Sequence, residues 1–168
     1  MGITILAFFY QAVGQGYTFN PRENYSTIIV QILSITIPVM LWCVGNWCLT
    51  TLFDGEGSFK DIYIATTYSL APLPLLIIIS TVLTNVMTVG EGSIVNLLVT
   101  LGYIWVAFLL FFGTLVTHDY SLSKNVLTVF GTIAAMVVIM FVAILFSNLV
   151  IKMVTFVSAI ISEIGNRL

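Results

Sequence analysis

Five stretches of this chain contain no Asp, Glu, Lys or Arg, and their lengths limit the fold more than any motif does. They are Met1–Pro21, Asn24–Phe53, Ile62–Gly90, Gly92–His118 and Asn125–Ile151. Crossing roughly 30 Å of hydrocarbon takes about 20 apolar residues. The last four stretches reach that length. The composition agrees, with 60% hydrophobic and 7% charged residues and a mean hydropathy of +1.13. A soluble domain carries about 25% charged residues, so a soluble fold is excluded. The expectation is an all-α, polytopic integral membrane helical bundle, and 168 residues allow one such domain. The five basic residues are scattered and the net charge is -2, which leaves no footprint for nucleic acid.

Five spans are expected, at about residues 3–16, 26–53, 59–88, 94–117 and 125–149, with a tail at 150–168. The first is short, because its apolar part stops near Val13 and Gln11, Gln15 and Gly16 follow. A cleaved signal peptide would need a basic start, and no Lys or Arg precedes Arg22. A re-entrant segment and the remnant of a longer, truncated span are the other readings, and the remnant is preferred. Asn20-Pro21 marks a turn after it. Three prolines are expected to kink or break helices, Pro38 in the second span and Pro72 and Pro74 in the third. The tail either continues the last helix past the bilayer or lies along its surface.

Charges concentrate where spans join. Asp54-Gly55-Glu56-Gly57-Ser58-Phe59-Lys60-Asp61 holds four of the chain's twelve charged residues. Ser58 with Asp61 reads as a capping box that starts a helix at about Phe59. Gly90-Glu91-Gly92-Ser93 repeats the Gly55-Glu56-Gly57-Ser58 tetrapeptide, which reads as shared turn-and-cap chemistry. If the later spans all cross, Asp54–Asp61 and His118–Lys124 share one face. The other face receives Tyr17–Tyr25, Gly90–Gly92 and the tail.

Several constellations invite chemistry. Asp54, Glu56, Asp61, His118 and Asp119 are hard or borderline ligands that would suit a divalent cation if they met at one point. Turns and caps account for each of them singly, so no metal and no cofactor is expected. His118 has no nucleophile at a recognisable spacing, and no HExxH, GxSxG or P-loop pattern appears, so no enzyme is expected. Gln31, Asn46, Asn85, Asn96 and Asn148 lie within spans. Such side chains usually link helices, and no span holds a buried charge of the kind that marks an ion path. Gly131 and Ala135 form a small-xxx-small face for close helix approach, within the bundle or with a second copy as a homodimer. Cys43 and Cys48 are five apart, about 140° around a helix, and read as packing residues.

The run TLFDGEGSFKDIYIATTYSLAPLPLLI (Thr51–Ile77), together with FFGTLVTHDYSLSKNVLT (Phe111–Thr128), resembles the bacterial branch of the Yip family. These are five-span, Ypt/Rab-interacting membrane proteins. The resemblance implies a cytosolic N-terminal segment before a full first span. It therefore places 54–61 and 118–124 in the cytosol of a bacterial cytoplasmic membrane. Eukaryotic relatives bind Rab GTPases, and some bacterial relatives are thought to assist assembly of ABC-type transporters. The expected function is a scaffold or accessory protein whose partners are the lipid bilayer and other membrane proteins. Its docking face would be Asp54, Glu56, Lys60, Asp61, His118, Asp119 and Lys124. A small-solute channel or transporter using Asn85, Asn96 and Asn148 is the alternative.

Overall fold

The computed structural model describes residues 1–16, 19 and 27–167, with the side chains of 165–167 left aside. The Asn20-Pro21 turn and Arg22 lie outside the described residues. Six α-helices account for nearly all of the rest: α1 (Gly2–Gly14), α2 (Ile28–Phe53), α3 (Phe59–Ser69), α4 (Pro72–Thr84), α5 (Gly92–His118) and α6 (Leu122–Arg167). No strand occurs among the described residues. Backbone polar groups inside hydrocarbon must be paired within their own segment, which a helix achieves without neighbours. Four segments are long and apolar enough to cross a membrane: α2, α3 with α4, the Val89–Glu91 turn with α5, and α6. At 13 residues α1 spans about 20 Å, less than the hydrocarbon core.

The α3–α4 segment is the centre of the bundle. Its most apolar window is 39% buried, against 6% for that of α6. α5 packs along both halves of it, α2 lies against α3, and α1 against α4. One apolar cluster joins Ala7 of α1, Leu73 and Ile77 of α4 and Val106 of α5. Another joins Val39 and Cys43 of α2 to Ile62 of α3. Elsewhere the surface is apolar, as on α5, where Leu101, Ile104, Trp105 and Phe108 are all exposed. In a bilayer that surface meets lipid.

The break between α3 and α4 falls at Leu70–Ala71, which keep helical backbone angles; Pro72 and Pro74 lack the N–H groups that would bond Tyr68 O and Leu70 O. Short bonds bridge the gap, from Ala71 N–H to Tyr68 O and from Leu73 N–H to Leu70 O. Pro74 sits buried within α4, while α2 runs through Pro38 without interruption. α4 ends at Thr84 rather than reaching residue 88. There Asn85 Nδ2 donates to Gly14 O at 2.8 Å, and Thr84 Oγ1 accepts from Gly16 N–H, tying the end of α1 to the end of α4. A Cβ on Gly16 would overlap Thr84 O, so only glycine allows this approach. The tail is not a separate element: residues 150–167 continue α6, which is 46 residues long.

Candidate functional site

Two connections meet at one end of the bundle, Asp54–Ser58 between α2 and α3, and Asp119–Ser121 between α5 and α6. Both begin alike. α2 closes on Asp54 (φ 47°) and α5 on Asp119 (φ 52°), each in the left-handed region. In each case the next N–H bonds the carbonyl five residues back: Gly55 to Thr50 O at 2.9 Å and Tyr120 to Leu115 O at 3.1 Å. This is the closure a helix uses to satisfy its last carbonyls. Aspartate tolerates that backbone better than most residues. It also leaves both carboxylates outside, where they are exposed.

The two glycines that follow have another reason. Neither has a positive φ. A Cβ on Gly57 would come within 2.8 Å of His118 Cε1 and Thr117 Cγ2, and one on Gly55 would collide with the Tyr120 hydroxyl. Glycine is required because this loop lies directly on the His118 and Tyr120 rings. Gly57 N–H reaches His118 Nδ1 at 3.3 Å.

His118 is therefore not part of an exposed acidic face. It is 2% exposed and points inward. Its Nε2 lies 2.7 Å from Asn46 Oδ1, and Asn46 Nδ2 donates to Thr132 Oγ1 at 3.2 Å. Thr132 in turn donates to Thr128 O. The directions agree only if Nε2 carries the proton and Nδ1 accepts from Gly57. A chain of donors thus links the α2–α3 loop, α5, α2 and α6. Beside it, Asn125 holds α6 to α5: its Oδ1 accepts from Thr114 Oγ1 at 2.9 Å and its Nδ2 donates to Phe111 O at 2.8 Å. Asn46, Asn125 and Thr132 are wholly buried. Burying such groups is costly unless they are bonded, and here they are.

The crevice beside His118, lined by Asn46, Thr66, Ser69, Gly113 and Thr114, has no room for a water molecule. With both ring nitrogens engaged, His118 offers no lone pair to a cation. Among the described residues no three His, Cys, Asp or Glu side chains are grouped to hold a metal. Cys43 is buried with its thiol 3.7 Å from Thr66 Oγ1, whereas Cys48 is exposed, and both are free.

The remaining charged residues face outward. Asp54, Glu56, Lys60, Asp61 and Asp119 are exposed. Asp61 accepts from Ser58 N–H at 3.2 Å and from Ser58 Oγ at 2.5 Å, and Ser58 Oγ accepts from Asp61 N–H, which completes a capping box on α3. Lys124 lies 4.9 Å above the Tyr120 ring, which stacks on His118 with centroids 5.0 Å apart. Burial pushes the Tyr120 phenol above its usual value; the Thr128 hydroxyl opposes this and the Asp54 charge adds to it.

The second Gly-Glu-Gly-Ser run behaves differently. The box at the start of α5 is built by Thr88 and Glu91, with Thr88 N–H donating to Glu91 Oε2 at 3.0 Å. Ser93 lies inside the first turn of α5 and Gly92 opens it, so neither caps. Gly90 is exposed with open space around it, and Gly92 lies against the Phe19 ring.

Of the other polar residues in spans, Asn85 ties α4 to α1, while Asn96 and Asn148 are exposed on α5 and α6. Gln31 Oε1 is buried without a partner. Gly131 faces α2, where a Cβ would meet Leu49 Cδ1 at 3.0 Å, so the small-residue face serves packing inside the chain. Sequence reasoning passed over Thr128, Thr132 and Asn125. The signal was there: three polar residues recurring at 3–4 spacing in an apolar helix mark a face turned to protein.

The Yip1 domain family model matches residues 1–162. No curated protein and no solved structure matches the chain. With four membrane-length apolar segments and a family match over nearly its whole length, this integral membrane protein belongs to the Yip1 domain family.

Proposed function

We propose that the protein is a non-enzymatic membrane scaffold that binds other membrane proteins through the surface of its two joined loops. One observation carries the reading. The buried His118, Asn46 and Asn125 are bonded within the bundle, so what this end offers outward is a pair of fixed loops bearing Asp54, Glu56, Lys60, Asp61 and Asp119. Fixed loops lose little entropy on binding, which favours recognition. The charges add steering and register more than raw affinity. A basic juxtamembrane or loop segment of the partner fits the acidic excess. The partner class suggested by the family resemblance is an ABC-type transporter under assembly, with the loops in the cytosol of a bacterial cytoplasmic membrane.

The test is co-purification in mild detergent after crosslinking in membranes. Glu56→Lys with Asp119→Lys should lose the partner while the protein stays folded and inserted. Unchanged recovery of the same partner would remove the proposal. Labelling of single cysteines at Glu56 and at Val89 by an impermeant reagent, from each side of the membrane, tests the sidedness. The channel reading finds less support, because Asn96 and Asn148 are exposed rather than gathered around an inner path.

A further inference from the structure

α6 is too long for the bundle it belongs to. α2 and α6 run antiparallel, with Asn46 bonded to Thr132 and Leu49 against Gly131. Counting outward from that bond puts Ile28, the first residue of α2, level with Val150. Between Ile28 and Phe53, α2 already covers about 39 Å, more than the roughly 30 Å of hydrocarbon. The remainder of α6 therefore extends about 25 Å past the level where α2 begins. Every residue from Met140 to Ile164 is exposed in the single chain.

This extension has its own pattern. Val150, Val154, Val157, Ile161 and Ile164 follow one another at spacings of four, three, four and three, all β-branched and all exposed. That is the heptad seam of a coiled coil. Lys152, Thr155, Ala159 and Ser162 repeat at the same spacing on the opposite side of the helix. Ile151 and Phe156 interrupt the polar side, so the continuous feature is the seam, and a seam projecting into water would be untenable uncovered.

We infer that the C-terminal part of α6 is a self-association element, in which this seam packs in parallel against the same seam of further copies of the chain. Copies anchored in one membrane with one orientation present their α6 extensions side by side and in the same direction, which is the geometry a parallel coiled coil needs. With Met153 and Ile160 flanking the seam, seven apolar side chains at roughly 80 Å² each bury about 1,100 Å² between two copies. That approaches the lower end of a stable interface, about 1,200 Å². A third strand covers more of each seam, and β-branched residues at both core positions favour three strands over two. The Gly131 face, committed to α2, is left out of this contact.

The experiment is disulfide crosslinking of the full chain in membrane vesicles. Single cysteines are placed along the extension in a Cys48→Ala background, the buried Cys43 being out of reach. The seam variants Val154→Cys, Val157→Cys and Ile161→Cys should crosslink several-fold more than Thr155→Cys, Ala159→Cys and Ser162→Cys. Val157→Lys should lower the oligomer mass in mild detergent, and Ala159→Lys should leave it unchanged. Crosslinking without heptad phase, no crosslinking at the seam, or a seam nitroxide at Val157 quenched by lipid-soluble reagents would overturn the inference. So would seam crosslinks formed only to a different protein.

Discussion

His118 Nε2 lies 2.7 Å from Asn46 Oδ1, 72 positions away along the chain, and both side chains are almost fully buried. The pair ties the end of α5 to the last third of α2. Through His118 Nδ1 it also fixes the loop that leads into α3. Replacing Asn46 by Leu leaves the imidazole N–H and the Thr132 hydroxyl without this partner, at a cost of about 1–3 kcal/mol. The expected outcome is a clear drop in thermal midpoint in detergent. A double-mutant cycle of Asn46→Leu with His118→Leu should show a coupling of about 0.5–3 kcal/mol. Simple additivity would mean that the bond contributes nothing.

Gly57→Ala should destabilise the loop, because the new methyl meets His118 and Thr117 at 2.8 Å. Overpacking of this kind costs roughly 1–3 kcal/mol. Gly90→Ala, whose Cβ has only Thr88 Oγ1 at 4.0 Å, should be tolerated. Comparison of the two thermal midpoints separates close approach from a general need for glycine in loops.

The two similar tetrapeptides should answer differently to the same change. Ser58→Ala removes the cap of α3, at about 1 kcal/mol. Ser93→Ala should do little, since Ser93 lies within α5, whereas Thr88→Ala removes that end's hydroxyl contact with Glu91. Equal losses at Ser58 and Ser93 in chemical denaturation would contradict the assignment.

Alkali should loosen the loop pair. Burial holds the Tyr120 phenol above the ordinary value of about 10. The folded state therefore binds that proton more tightly than the unfolded state does. The resulting stability is fully present below about pH 10 and is lost as pH rises through the higher folded value. Tyr120→Phe should flatten the stability profile in that window. Asp54→Asn should move the Tyr120 titration down, read from phenolate absorbance against the Tyr120→Phe background.

Asn85→Leu should release the end of α1 from α4, because the amide that holds Gly14 O is gone. Faster backbone hydrogen exchange at the end of α1, with α5 unchanged, is the expected result.

The sequence by itself determined the class of fold. Long charge-free stretches have few alternatives to membrane helices, because hydrocarbon offers backbone groups no other partner. Local chemistry was equally legible. Ser58 and Asp61 are three apart, so their cap needs nothing from the rest of the chain, and Pro72 and Pro74 remove backbone donors whatever surrounds them. What the sequence could not assign was the purpose of a residue whose partner is remote. Gly55 and Gly57 read as turn formers, yet they are small because the His118 and Tyr120 rings, more than 60 residues away, lie beneath them. His118 read as one member of an exposed cluster, and the packing of α2 and α5 against α3 turned it inward to Asn46. Gly90-Glu91-Gly92-Ser93 looked like a copy of the first run, but the end of α4 at Thr84 left room for Thr88 to cap instead. Short-range bonds depend on spacing along the chain, and spacing is printed in the sequence. Burial and close approach depend on which helices lie side by side, and only the tertiary structure decided that.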